Sequence, residues 1–362
     1  MRLLRLIGLV ASLALAPQLA VAQSPGPGRP QFDDRQQVLA INATVKVLFE
    51  NDDFTTLEKL ADEFRTLGSV TSSGRPNLDA FYGSFNWYPI TGELSDPRIG
   101  KTKRWLAAFP NSRAAHIVMG IVLENRTLAL GQLAGNSVIA GTKALYEGVP
   151  AKIEQGFRDT ERFLTDSEPL LEDEPFYHSL RLDLAARRGA KEEEILAMYK
   201  TAATRFPDYY QLKFEAFLWL SQVWNNDPGK IEAFISEATI ISSAQNGEGD
   251  YADLYWWRHV LHGGGNPFTQ TKASWPRVRH GIEDRIKRFG GLSNANHYAL
   301  LACFAGDQAI AKRMFEMIGN NFDPEVWDTQ KTLDQCWLWA IQDVGGPLGR
   351  ASDVREPATS PQ

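Results

Sequence analysis

The stretch from Tyr199 to Tyr209, YKTAATRFPDY, decides how this chain is read. A helical run closes on Phe206, and Pro207 ends it because its ring clashes with the preceding turn. Asp208 then stands where a carboxylate can cap the next helix. Residues 105–112, WLAAFPNS, write the same device with Phe109, Pro110 and Asn111. Anchor, stop and cap between two helical runs describe a chain turning from one rod into the next. The reading places Phe109 and Phe206 between helices and starts new helices at Asn111 and Asp208.

Working outward, Lys191 to Phe206 spaces Ile195, Leu196, Tyr199, Ala202 and Phe206 along one helical face. Its predecessor runs from Pro175, suited to a first turn, to Gly189, suited to the other end. Helices at Tyr209–Asn225 and Pro228–Ala244 follow, so one unit advances by about 34 residues, the length of a tetratricopeptide unit. Further helices are expected at Asp250–His262, Ser274–Phe289, Asn294–Ala305, Gln308–Ile318 and Pro324–Val344. Toward the N-terminus, Val38, Ile41, Val45 and Leu48 mark one helix, and Asn51-Asp52-Asp53 break it. Leu57, Leu60, Ala61, Phe64 and Leu67 mark the next. Periodicity then fails among Gly, Ser, Pro and aromatics, which reads as an irregular loop over about 68–100. Helices return at Lys101–Phe109, Ser112–Leu130 and Lys152–Thr165, with the Gly-rich stretch 131–148 undecided between them. Alternation at period two is almost absent. The expected class is all-α, with antiparallel helix pairs stacked in a right-handed array over 34–344 and a subdivision near 170.

The hinges resemble those of tetratricopeptide-like proteins. A second likeness rests on Trp224-Asn-Asn-Asp-Pro-Gly, Tyr251-Ala-Asp-Leu-Tyr-Trp, Trp275, Asn296-His-Tyr-Ala-Leu-Leu-Ala-Cys303, Gly306-Asp307, and Ile318-Gly319 through Trp327. On these residues the span from about 217 to 327 resembles a bacterial domain family of unknown function, found in exported, repeat-like helical proteins. That resemblance implies helical repeats and supplies no catalytic residues. By analogy with many tetratricopeptide proteins, a concave surface would bind peptides.

Arg2 and Arg5 precede the apolar stretch Leu6–Ala16, too short to span a bilayer, and Ala20-Val21-Ala22 is a small-x-small cleavage pattern. The first 22 residues therefore read as a signal peptide cleaved after Ala22, giving a periplasmic or secreted chain with no membrane insertion after signal removal. A Pro/Gly linker at 23–33 follows, and the Gly/Pro-rich polar tail 345–362 is expected to be disordered. Losing Arg2 and Arg5 takes the net charge from −6 to about −8. With no basic run or basic-aromatic stripe, nucleic acid and anionic lipid surfaces are unsuited partners.

Motifs for chemistry are sparse. His262-Gly263-Gly264-Gly265 and Gly291-Leu-Ser293-Asn-Ala295 resemble pieces of an esterase site, but that site needs a strand-to-helix turn and a sheet. The plainer reading is a glycine C-cap at 263–265 and an N-cap at Ser293 or Asn294. His259 and His262 lie three apart on one face, without the further ligands that a zinc site wants. No metal or cofactor is expected. Glu172-Asp173-Glu174 and Glu192-Glu193-Glu194 read as first-turn acids that complement helix dipoles. Trp219, Trp224, Tyr251, Tyr255, Trp256, Trp257 and Trp275 crowd about sixty residues. Most of this cluster suits a core, while Tyr255, Trp257, Arg258 and Lys213 are the candidate walls of a binding groove. Cys303 and Cys336, the two cysteines, lie 33 residues apart, either bonded in an oxidising compartment or buried as two small apolar thiols. The functional expectation is a non-catalytic module that binds or scaffolds a protein or peptide partner in the bacterial envelope. The alternative is a cell-envelope hydrolase, of peptidoglycan or ester, using one buried Glu as general acid.

Overall fold

The structure, a computed structural model, describes residues 34–86, 96–139, 149–261, 263–327 and 329–348. The signal peptide and linker expected from the sequence lie outside the described residues, as do His262, positions 140–148 and the tail from 349. The first residues of the expected tail, 345–348, are described, and Leu348 is buried in the core, so packing extends past the boundary expected at 344. The described residues form seventeen helices and no strand, with one isolated bridge between Val70 and Pro76. None of these helices is long and apolar enough to cross a membrane.

In chain order the helices are α1 (Asp34–Glu50), α2 (Phe54–Leu67), α3 (Asn77–Gly83), α4 (Pro97–Ala108), α5 (Arg113–Ile139), α6 (Val149–Asp166), α7 (Glu168–Leu171) and α8 (Pro175–Arg187). There follow α9 (Glu192–Arg205), α10 (Tyr210–Val223), α11 (Pro228–Asn246), α12 (Gly249–Leu261), α13 (Pro267–Gln270), α14 (Trp275–Arg288), α15 (Leu292–Ala305), α16 (Gln308–Ile318) and α17 (Gln330–Gln342). Neighbours in sequence pack side by side, most extensively α5 on α6 and α15 on α16, and α8 also meets α10. Two sequence expectations change here. The irregular span over 68–100 contains α3, and α4 already begins at Pro97, whose missing N–H costs nothing in a first turn. Helix α5 continues to Ile139, well beyond Leu130.

The hinges turn the chain as expected but with other residues. Ser112, not Asn111, caps α5 by accepting from the Ala115 N–H at 2.8 Å. At the second hinge Asp208 does not cap; the N-cap is Tyr209, without a side-chain bond. Asp208 is exposed and lies 3.8 Å from the Arg288 guanidinium instead. Phe109 and Phe206 are only half-buried, and Ser112 and Tyr209 go inside in their place. At each hinge the proline and the next residue form a turn, closed by Ser112 N–H on the Phe109 carbonyl at 3.0 Å and Tyr209 N–H on the Phe206 carbonyl at 3.2 Å, so the side chain that goes inward lies three positions after the phenylalanine.

Two hydrophobic cores result. The N-terminal one gathers α1–α8 around Trp105, which is fully buried and stacked on Phe54 with centroids 5.7 Å apart. The C-terminal one runs from Leu182 to Leu348. Helix α8 belongs to both: Tyr177, Leu180 and Leu184 join the first core, Leu182 joins the second, and Phe176 packs against each. The loop over 69–76 closes the seam from the other side. Its Ser73 carbonyl accepts from Arg285 Nη2 at 3.1 Å and Asn294 Nδ2 at 3.3 Å. Gly74 lies against the Phe289 ring at a φ of +90°, where any side chain would collide with that ring.

Candidate functional site

The four residues proposed as groove walls stand on α10 and α12 but do not form one surface. Lys213 is fully buried, and its ammonium is paired with the Asp250 carboxylate. Asp250 also accepts from Ser242 Oγ and, at 3.2 Å, from Asn246 Nδ2. Tyr255 is likewise fully buried, donating its hydroxyl to Glu232, which also accepts from Tyr251 at 2.9 Å. Both are interior ties, so neither lines a groove. Trp257 is half-buried against Phe214, ring centroids 4.6 Å apart. Arg258 is half-buried, its Nε has no acceptor, and burial holds its guanidinium below the usual range.

Two clefts lie at the seam between the cores. One cleft of about 400 Å³ is bounded by Phe64 and Arg65 of α2, Phe206 and Tyr210 at the second hinge, and Arg288 with Phe289 at the end of α14. Glu174 in its wall is almost fully buried, paired with Arg65 and, at 3.5 Å, with Arg113, while its Oε2 has no hydrogen-bond partner. The Tyr210 hydroxyl, in the same wall, is also buried and unpartnered. A buried polar atom without a partner is costly, so two in one cleft mark places where a ligand can supply the missing bond. Glu174 does stand at the start of α8, as its N-cap position, and tertiary packing in addition takes it inside. Glu192–Glu194 do open α9 as expected.

Asp79 is the partition between this cleft and a second cavity of about 240 Å³. It is buried, accepts the Tyr209 hydroxyl at 2.5 Å, and burial pushes its carboxyl up to about 7 against the pull of that bond and of Arg75. Across the second cavity stand Glu124 of α5, Asp183 of α8 and Glu215 of α10. Burial and then the Asp183 charge raise Glu215 to about 7 and raise Glu124 well above the carboxylate range. Arg187 lies 3.3 Å from Glu124 and 2.8 Å from Asp183, whose other oxygen accepts the Trp219 indole N–H at 2.9 Å. Carboxyls with perturbed protonation in a concave site are a recognised mark of function. Sequence reading missed all four. A signal was present: Glu124 ends the apolar run from Ile117 to Leu123, and Glu215 sits between Phe214 and Ala216.

The remaining motifs are structural. Gly263, Gly264 and Gly265 all have positive φ, and the Gly264 N–H reaches back to the His259 carbonyl at 3.0 Å, an ending for α12. Helix α15 starts from Gly291, so neither Ser293 nor Asn294 is its cap. His297 stacks on Trp256 at 4.1 Å, and burial with the neighbouring His259 pushes it down to about 3. Among the described residues no three of His, Cys, Asp and Glu converge to hold a metal ion. The two cysteine sulfurs are bonded, with Cα atoms 5.9 Å apart, joining α15 to α17. No protein-family model, no curated protein and no solved structure matches this chain, so the likeness over 217–327 stays a resemblance.

Proposed function

We propose that the chain is an exported, non-catalytic binding module of the bacterial envelope, built of stacked tetratricopeptide-like helix pairs, that takes a protein or peptide segment in the seam cleft. The observation that supports this most is the pair of unpartnered atoms, Tyr210 Oη and Glu174 Oε2, in one open cleft of about 400 Å³. An extended peptide presents a donor and an acceptor at each residue, which is what two such atoms lack. Phe206 and Phe289 supply apolar contact, and Arg288 with Asp208 on the rim supplies charge. The test is photocrosslinking in envelope fractions with the 23–362 chain, carrying the probe at Asp208 or at the exposed Ile240, which does not line the cleft. One specific protein captured from 208 and not from 240 is the expected result. Equal capture from both, or recovery of glycan alone, rejects the reading.

The hydrolase alternative draws on a different observation. Burial and then the Asp183 charge raise the Glu124 carboxyl well above its usual range, the direction in which a general acid is tuned. Release of soluble fragments from peptidoglycan by the wild type, lost in Glu124→Gln without loss of helix, would establish it in place of binding.

A further inference from the structure

The second cavity holds more carboxyls than the cations facing it can pair. The charged groups facing it are Asp79 of α3, Glu124 of α5, Asp183 and Arg187 of α8, Glu215 of α10, and Arg75 of the loop before α3. Four carboxyls thus face two guanidiniums. Arg187 already serves both Glu124 and Asp183, and Arg75 is exposed at the rim. A separate observation points to a ligand. The Ser179 hydroxyl lines the same cavity, is 3% exposed, and has no hydrogen-bond partner. A helical serine commonly returns its hydroxyl to the carbonyl four residues back; this one is left free toward the cavity.

We infer that this cavity binds a small aliphatic ammonium compound, its cationic nitrogen among Glu124, Asp183 and Glu215 with Ser179 as a neutral partner. The chemistry of the walls selects that class. Between the polar groups lie Ile121, Leu128, Leu180 and Leu218, which suit a methylene chain and would be wasted on a bare ion. A divalent metal would need several close oxygens, and the described carboxyls do not converge in that way. An anion would meet four carboxyls. An ammonium group donates three hydrogen bonds and accepts none, the complement of carboxylates and a serine oxygen.

A consequence follows for protons. Carboxyls that hold protons because they lack a counter-charge release them when a cation arrives, since an opposite charge within a few ångströms favours the ionised form. With Asp79 and Glu215 both titrating at about 7, binding at neutral pH should release protons to the buffer and tighten as pH rises through that range.

The probe is putrescine, with butanediol as its uncharged counterpart and calcium as the bare cation. Titration calorimetry of the 23–362 chain at pH 7 should show one putrescine bound per chain. The observed heat should depend on the buffer's ionisation enthalpy in the sense of proton release. Butanediol and calcium should each bind at least about tenfold more weakly. Glu215→Gln removes one charge at a half-buried position and should weaken putrescine by about tenfold, while Ser179→Ala should weaken it several-fold at unchanged proton release. Should either variant fail to fold by circular dichroism, the wild-type contrast of amine with diol decides alone. Absence of putrescine binding, equal binding of the diol, or tighter binding of calcium overturns the assignment. The photocrosslinking outcome at residue 208 is independent of all of these.

Discussion

The two cores solve the same packing problem with different fastenings. Apart from Asp79, Glu124 and Glu174, which face the seam, the N-terminal core relies on large aromatics and on polar ties near its margin. Glu58 accepts the Trp105 indole N–H at 2.6 Å as well as the Ser112 hydroxyl, and Asp52 pairs with Lys101 at 3.1 Å and Arg104 at 2.6 Å. The C-terminal core places charge and covalent bonds inside. The Lys213–Asp250 pair is almost fully buried, Arg285 lies 3.0 Å from Asp253, and both cysteines are here. Marginal ties can be lost one at a time because water replaces them, whereas a buried charge stripped of its partner has no such recourse. The comparison therefore predicts a C-terminal half sensitive to single changes and an N-terminal half that, away from the seam carboxyls, tolerates them.

The sharpest way to break the comparison is Lys213→Met, which leaves Asp250 buried without its cation. The expected loss is about 3–5 kcal/mol by chemical denaturation. Hydrogen exchange should rise in α10–α12 and stay unchanged in α1, α2 and α4. The double change Lys213→Met with Asp250→Leu should recover most of the loss, since an apolar pair needs no compensation. A loss spread evenly over both cores would mean that they are one energetic unit.

A somewhat smaller effect is expected from the covalent tie. The bond closes a 33-residue separation, so replacing both cysteines by alanine should cost about 3–4 kcal/mol on the chain-entropy estimate. The same exchange measurement should place that loss in α15–α17. If purified protein yields two freely alkylated thiols after denaturation, the C-terminal core is held without a covalent bond and the contrast weakens.

The effect that is smallest per measured step lies on the seam and is read as a slope against pH. Asp79 ionises near the ordinary aspartate value of 3.8 when unfolded and at about 7 when folded. A raised folded value means that the native state holds the extra proton between these limits. The contribution of Asp79 is thus fully present below about 3.8 and is lost as pH rises through about 7. Asp79→Asn should flatten the fall of stability over that window by up to about 1.4 kcal/mol per pH unit, the linkage of one proton. An unchanged slope would show that Asp79 does not couple the cores through a buried carboxyl.

The chain by itself determined the class and most of the helix positions. Local signals act within a few residues: the period of Ile195, Leu196, Tyr199 and Ala202, the stop at Pro207, and the first-turn proline at 175 produce helices wherever they occur. It also exposed the hinges, although not which side chain turns inward there, because Tyr209 is chosen over Phe206 by the helices waiting across the gap. Tertiary structure alone decided the site. Glu174 reads as an acid at a helix start until α2 brings Arg65 against it, and Lys213 reads as a groove residue until Asp250 arrives from 37 positions along the chain. Asp79, Glu124, Asp183 and Glu215 are contributed by four separate helices, and only packing gives them a common cavity. Burial, and the protonation that follows from it, depends on the water excluded by distant elements; no local pattern of residues encodes that quantity.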